Sequence, residues 1–294
     1  MNFGLIGKEI KTLRSALNMS QSELSNGICT QSQISKIEKG EVYPLASTLY
    51  LIAERLGVDV NYFYDLATMP QLEYVKEVYT QVRYNIEQQS FDEVFNIINF
   101  EKKNPLFIYN RKNKQFLLWH EAICIFSLYK DENKAHSMLD EALDLTKMST
   151  KLLGEREIEI LNSKGVLYFE SQKFENAIDT YKLALKHFDK IPYTHEYKIK
   201  TRLLYNKAKA QTRLNDINGS IESCRKAIDW AISHDSLYLL GDIYYHIGYN
   251  LSLNKQNCEA ISYLEKSEFT FKLQSYEKLA EYPRRKIKEL KVKN

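Results

Sequence analysis

Residues 20–57 read SQSELSNGICTQSQISKIEKGEVYPLASTLYLIAERLG, and the start signals inside this run decide the fold of the amino-terminal part. Ser20 with Glu23 forms a capping box, in which a hydroxyl and a carboxylate each satisfy a backbone N–H at a helix start, and Thr30 with Gln33 repeats the device. Pro44 opens a further helix, where its missing N–H costs nothing. Short helices in quick succession are the expectation, with a turn of Cys29 and Thr30 that is short and carries no glycine.

Apolar residues on either side of these signals recur at helical spacing. Leu5, Ile6, Ile10, Leu13 and Leu17 lie on a first helix, Leu24 and Ile28 on a second, Ile34 and Ile37 on a third, and Leu49, Ile52, Ala53 and Leu56 on a fourth. Burying them as one small core turns Gln31, Ser32, Ser35 and Lys36 outward on the third helix, with Gln33 beside them. A face that is polar but nearly uncharged is most often just a solvated surface. It also suits base reading: Gln pairs bidentately with adenine, Lys donates to guanine, and Ser accepts either role.

The chain has 294 residues, 44% hydrophobic and 12% aromatic, with ten Gly and five Pro. That is a folded composition, long enough for about two domains and too poor in turn formers for a strand-rich fold, so an all-α architecture is expected. No apolar run reaches the roughly 18 residues that a membrane span needs, and Lys8 and Glu9 come too early for a secretion signal. A cytoplasmic protein with no membrane partner is expected. Cys29, Cys124, Cys224 and Cys258 are scattered without the paired spacing of a zinc site, so neither metal nor cofactor is expected. A net charge of +3 barely marks a nucleic-acid binder. Within residues 1–68 the bases Lys8, Lys11, Arg14, Lys36, Lys39 and Arg55 are in fact outnumbered by acids, so any DNA binding depends on placement, helix amino termini and two copies acting together.

Met69, Pro70 and Gln71 break the periodic pattern, since a residue before proline is pushed out of the helical region. The expected domains are therefore 1–68 and 69–294. Beyond the border a two-helix unit recurs, clearest in residues 158–188, IEILNSKGVLYFESQKFENAIDTYKLALKHF, where Gly165, Tyr168, Ala177, Tyr181 and Ala184 sit at tetratricopeptide spacing. Val94, Ala135, Ala177, Ser220 and Ala260 open the second helix of successive units at separations of 41, 42, 43 and 40. About five long helix pairs wound into a right-handed superhelix, with a closing helix from Ser275 to near Leu290, are expected. Small residues repeat where helices approach: Gly165, Ala208 and Gly248 in first helices, and Ala142, Ala184, Ala227 and Ser267 in second ones.

The first helix of each pair lines the hollow side of such a stack, a surface suited to an extended peptide. The inward positions carry Trp119, His120, Asn162, Arg202, Tyr205, Asn206, Tyr245 and His246. A side-chain amide can donate to and accept from one peptide unit, which holds a backbone whatever its sequence. Asn206 and, one position out of register, Asn162 are candidates for that role, with a solvated or interhelical role as the alternative. Arg202, Tyr205 and Tyr245 are candidate peptide contacts, and His246 is either a pH-sensitive contact or locally satisfied. Basic residues from Arg284 to Lys293 are expected to make a solvated helix end that complements its own dipole, with a second DNA contact as the alternative.

The run CTQSQISKIEKGEVYP, at residues 29–44, resembles the lambda-repressor-like (XRE) helix-turn-helix family. That resemblance implies a five-helix domain whose third helix enters the major groove, an ion pair between Arg14 and Glu38, and a phosphate-anchoring role for Gln21. With YNKAKA at 205–210 and GDIYYHIGYNL at 241–251, the whole chain resembles the PlcR-like branch of the Rgg/Rap/NprR/PlcR family of Gram-positive quorum-sensing regulators. The resemblance implies a homodimeric transcription factor that binds an inverted-repeat operator in double-stranded DNA and is controlled by a short signalling peptide. A lone reading domain spans only a few base pairs, which independently favours two copies. The competing reading is an adaptor tethered to DNA whose repeats dock a folded protein. No Ser/His/Asp set, phosphate loop or metal-hydrolase motif occurs, so no catalytic residue and no enzyme is expected.

Overall fold

A computed structural model describes residues 4–68, 71–146, 152–194 and 196–292, and every regular element among them is helical. The Met69–Pro70 border and Lys293 lie outside the described residues. The chain forms two compact units, Met1–Leu117 and Leu118–Asn294.

The first unit opens with α1 (Gly4–Ala16), α2 (Gln21–Ser25), α3 (Gln31–Glu38), α4 (Ala46–Leu56) and α5 (Val60–Thr68). Ile6, Ile10, Leu24, Ile34, Ile37, Leu49, Ile52, Ala53, Leu56, Phe63 and Ala67 form one core. Leu17 is not part of it: α1 ends at Ala16, and Leu17 is 52% exposed. α2 also stops earlier than its apolar spacing suggests, at Ser25 rather than Ile28, because Asn26 leaves the helical region and Gly27 takes φ +72°. The turn therefore runs through Asn26 and Gly27, and it does hold a glycine, where only glycine adopts left-handed backbone without strain. α4 begins at Ala46 behind Leu45, so Pro44 precedes the helix instead of opening it.

In the same unit stand α6 (Leu72–Glu87), α7 (Phe91–Glu101) and a short α8 (Pro105–Ile108), which Asn104 caps through its side chain. Then come α9 (Arg111–Tyr129), α10 (Glu132–Thr146), α11 (Glu155–Glu170), α12 (Phe174–Phe188), α13 (Lys198–Arg213), α14 (Ile217–Ile232), α15 (Leu240–Leu253), α16 (Asn257–Leu273) and the closing α17 (Glu277–Val292). The sequence period is a real structural period. Val94, Ala135, Ala177, Ser220 and Ala260 each stand in the first turn of their second helix, all fully buried.

The elbows repeat too. Gln89, Lys130, Gln172, Asn215 and Lys255 precede α7, α10, α12, α14 and α16 at matching positions, all with φ between 56° and 62°. Ser275 does the same before α17. In the second unit α11 packs on α12, α13 on α14 and α15 on α16, while α13 also touches both α11 and α15, so these three first helices form one wall. Close approach is set by small residues. A Cβ on Gly165 would stand 2.4 Å from the Tyr181 ring, and one on Gly248 would stand 2.7 Å from Leu264.

Candidate DNA-reading helix and peptide-binding wall

Helix α3 starts at Gln31 because Thr30 Oγ1 accepts the Gln33 N–H at 3.2 Å, which satisfies one of the orphan donors of a helix start. Gln31, Ser32 and Lys36 are exposed, while Gln33 and Ser35 are half-buried. Beneath them lies an ion pair. Arg14 Nε donates to Glu38 Oε1 at 2.6 Å and its second amine to Oε2 at 3.1 Å, the bidentate geometry that fixes orientation as well as charge. Arg14 also donates to the Met19 carbonyl, tying down the loop before α2.

Burial works to raise the Glu38 carboxyl, but hydrogen bonds from Arg14 and Gln21, with the charges of Arg14 and Lys11, outweigh it and hold it below the ordinary range. The bond to Glu38, in turn, raises the Arg14 guanidinium. Gln21 links the pair to the start of α3. Its amide donates to Glu38 Oε2 at 2.8 Å, and its carbonyl accepts from Gln31 Nε2 at 2.6 Å. The result is a continuous relay from Arg14 through Glu38 and Gln21 to Gln31.

At the start of α2, the Glu23 N–H donates to Ser20 Oγ at 3.1 Å and the Ser20 N–H to Glu23 Oε2 at 2.7 Å, completing the capping box. Sequence reasoning missed what closes the other end. Arg55 of α4 donates to the carbonyls of Glu23, Leu24 and Asn26, the acceptors a short helix leaves open at its last turn. Its signal was the one basic residue of α4, placed in that helix's last turn. Sequence reasoning also passed over Gly7, where a Cβ would fall 1.9 Å from the Ile37 carbonyl oxygen; only hydrogen lets α1 seat against the end of α3.

On the wall of α11, α13 and α15 the structure brings the sequence candidates together. Asn206 Nδ2 donates to Asn162 Oδ1 at 3.0 Å, so two amides from neighbouring repeats, both buried, are each other's partners. Arg202 Nε donates to Tyr238 Oη at 3.1 Å and its guanidinium lies 3.8 Å from Glu159. The Tyr205 and His246 rings meet edge to face at 5.8 Å. Tyr205 and Tyr245 are partly buried against the core, and Tyr244 pairs instead with Tyr263 of α16.

His246 Nε2 lies 2.9 Å from Thr212 Oγ1 and 3.3 Å from Ser220 Oγ, inside a polar knot that Asn250 completes. Burial pushes its imidazole down to about 4, against a backbone contact at Ala208 that raises it, and nearby Lys209 adds to the lowering. It is neutral at physiological pH. Trp119 Nε1 donates to Ser163 Oγ at 2.8 Å, and Trp119 and His120 are buried. Lys209, Tyr238 and Asp242 also belong to this wall and were missed. Lys209 continues the Arg202, Tyr205 and Asn206 stripe by one more turn, so helical spacing alone could have found it.

No helix among the described residues is long and apolar enough to cross a membrane. No curated protein matches the chain. The RNPP family C-terminal domain model matches residues 79–285, and a helix-turn-helix model matches residues 10–63. The structure of Bacillus thuringiensis PlcR in complex with the peptide PapR7 and DNA is 26% identical, with a TM-score of 0.84 over 95% of this chain and 98% of that one. The apo form of the same PlcR is 25% identical at a TM-score of 0.68, over 97% and 99%. ComR from S. thermophilus, in complex with DNA and its signalling peptide ComS, shares the fold at 17% identity and a TM-score of 0.64, over 97% and 99%. With the family model spanning most of the repeats and the helix-turn-helix in front of it, the chain belongs to the RNPP family of regulators.

Proposed function

We propose that the protein is a cytoplasmic, homodimeric transcription factor that reads an inverted-repeat operator and is controlled by a short signalling peptide held on the first-helix wall. Residues 1–68 are the reading domain, and residues 69–294 sense and dimerise. Gln31, Ser32, Gln33, Ser35 and Lys36 face base edges in the major groove, and Gln21 anchors a phosphate while keeping α3 in register. Asn162, Arg202, Tyr205, Asn206, Tyr245 and His246 hold the peptide. One observation carries the DNA half: Gln31, Ser32 and Lys36 are exposed on a helix whose far end is pinned by a buried bidentate ion pair. The peptide half is supported by likeness along nearly the whole chain to PlcR, solved with a peptide and DNA.

The mechanism is a population shift. A peptide that ties α11, α13 and α15 together favours one arrangement of the repeats, and so biases the spacing of two reading heads; an appreciable shift needs a preference of a few kcal/mol, roughly 3–5.

The test begins by selecting tight-binding duplexes from a randomised DNA pool on the full chain. The selected consensus is expected to be an inverted repeat. Replacing Gln31 and Ser32 together by alanine should weaken that duplex by more than about tenfold, because each good base contact discriminates by about 1–3 kcal/mol, while leaving the melting temperature unchanged. Retained sequence preference in the double variant would refute the recognition-helix assignment.

A further inference from the structure

On the wall, the Lys209 ammonium is drawn in from solvent yet has no counter-charge in reach. The Lys209 ammonium lies 5.5 Å from the centre of the Phe169 ring and 5.2 Å from that of Tyr205, an aromatic seat that attracts positive charge without neutralising it. Among the described residues no carboxylate comes within 4.0 Å of its Nζ. Glu170 and Asp242 act on it only from further off, and do not make up for the burial that lowers it. The neighbouring cations differ. Arg202 is already bonded to Tyr238 and close to Glu159, and Lys207 lies 3.3 Å from Ser223 Oγ on α14. A half-buried ammonium with open donors is costly to keep for packing alone, and an apolar side chain of similar length would fill the same space.

We propose that Lys209 receives a carboxylate of the bound peptide, so that the ligand is a short peptide with an acidic group beside an apolar residue that lies on the Phe169 and Tyr205 rings. This rests on the peptide-binding reading above. The carboxylate is a Glu or Asp side chain or the peptide's own carboxy terminus. In either case a charge-assisted hydrogen bond forms where water is largely excluded, and it gains strength from that exclusion.

The experiment uses the full chain and four pools of fluorescent heptapeptides built from Ala, Leu, Phe and Pro with one Glu or one Gln, each made with a free or an amidated carboxy terminus. Binding is read by anisotropy on the native protein, Lys209→Met and Lys209→Arg, with Lys209→Gln as a second neutral variant; each variant's melt verifies folding. Peptides bearing a carboxylate are expected to bind the native protein at least tenfold more tightly than the Gln amide pool. The gap should close in Lys209→Met and Lys209→Gln and survive in Lys209→Arg. Comparison of the Glu amide with the Gln free-acid pool tells which carboxylate is received. Equal binding of all four pools to the native protein, or a gap that persists in both neutral variants, overturns the assignment of Lys209 alone. If no pool binds at all, the peptide-binding reading falls, and this proposal with it.

Discussion

Glu38 is the residue on which the reading helix turns. It closes α3, pairs with Arg14 and receives Gln21, so a neutral isostere keeps the shape and loses the charge. Because its carboxyl is held below the usual value of 4.5, it contributes stability that is fully present above pH 4.5 and is lost as the pH falls through its lowered value. Glu38→Gln should therefore cost about 2 kcal/mol at pH 7, in line with loss of a hydrogen-bonded charge. In thermal melts the difference from the native chain should shrink on acidification below pH 4.5; a difference that stays constant down to pH 3 would show that the charge is not what matters. This pair was legible from family grammar, and the outward Gln31, Ser32 and Lys36 from the spacing of the apolar residues. The relay through Gln21 was not, because which way an amide points is settled by three-dimensional neighbours and leaves no mark on spacing. The register of Asn162 and Asn206 was readable, but not that they bond to each other.

At the scale of the element, periodicity carried most of the information. The positions opening α7, α10, α12, α14 and α16 could be placed because close packing admits only small or slim side chains there, and that constraint repeats. The ends of elements were harder. α2 ended three residues early, since apolar spacing continues past the point where the backbone breaks at Asn26 and Gly27, and α4 began two residues late, since Pro44 stands before the helix behind the Leu45 cap. The elbows yield a prediction of their own. Gln172 is exposed and holds φ at 59°, a conformation that a side chain disfavours. Gln172→Gly should raise stability by up to about 1 kcal/mol, relief of that strain being partly offset by a freer unfolded chain. Urea unfolding checks it, and a loss of stability would mean the side chain does something not apparent from its exposure. The reverse holds at Gly165: because the Tyr181 ring is fully buried and cannot retreat from a methyl group, Gly165→Ala should destabilise by about 1–3 kcal/mol.

At the scale of the whole molecule, charge sets the behaviour on DNA. The amino-terminal residues hold no excess of bases, so under the proposed function each head would make few phosphate contacts and tight binding would take two. Affinity for the selected duplex is expected to fall at least about tenfold between 50 and 200 mM salt, since even a few neutralised phosphates release counterions. A flat salt response in a filter-binding or anisotropy titration would contradict a phosphate-anchored mode. Length, composition and repeat period were enough to anticipate an all-α chain of helix-turn-helix and paired repeats. What they could not convey is which cations are already spoken for, and that separates Lys209 from Arg202.

The contact at Gly7 bears on how such a regulator could diversify. Where the opening helix abuts the closing carbonyls of the reader, a single hydrogen atom acts as the spacer, and any bulkier substituent would wedge the two apart and tip the reader in the groove. If α3 reads DNA as proposed, new operators would be reached by swapping outward side chains on an unchanged pitch, and hardly at all by altering the pitch itself.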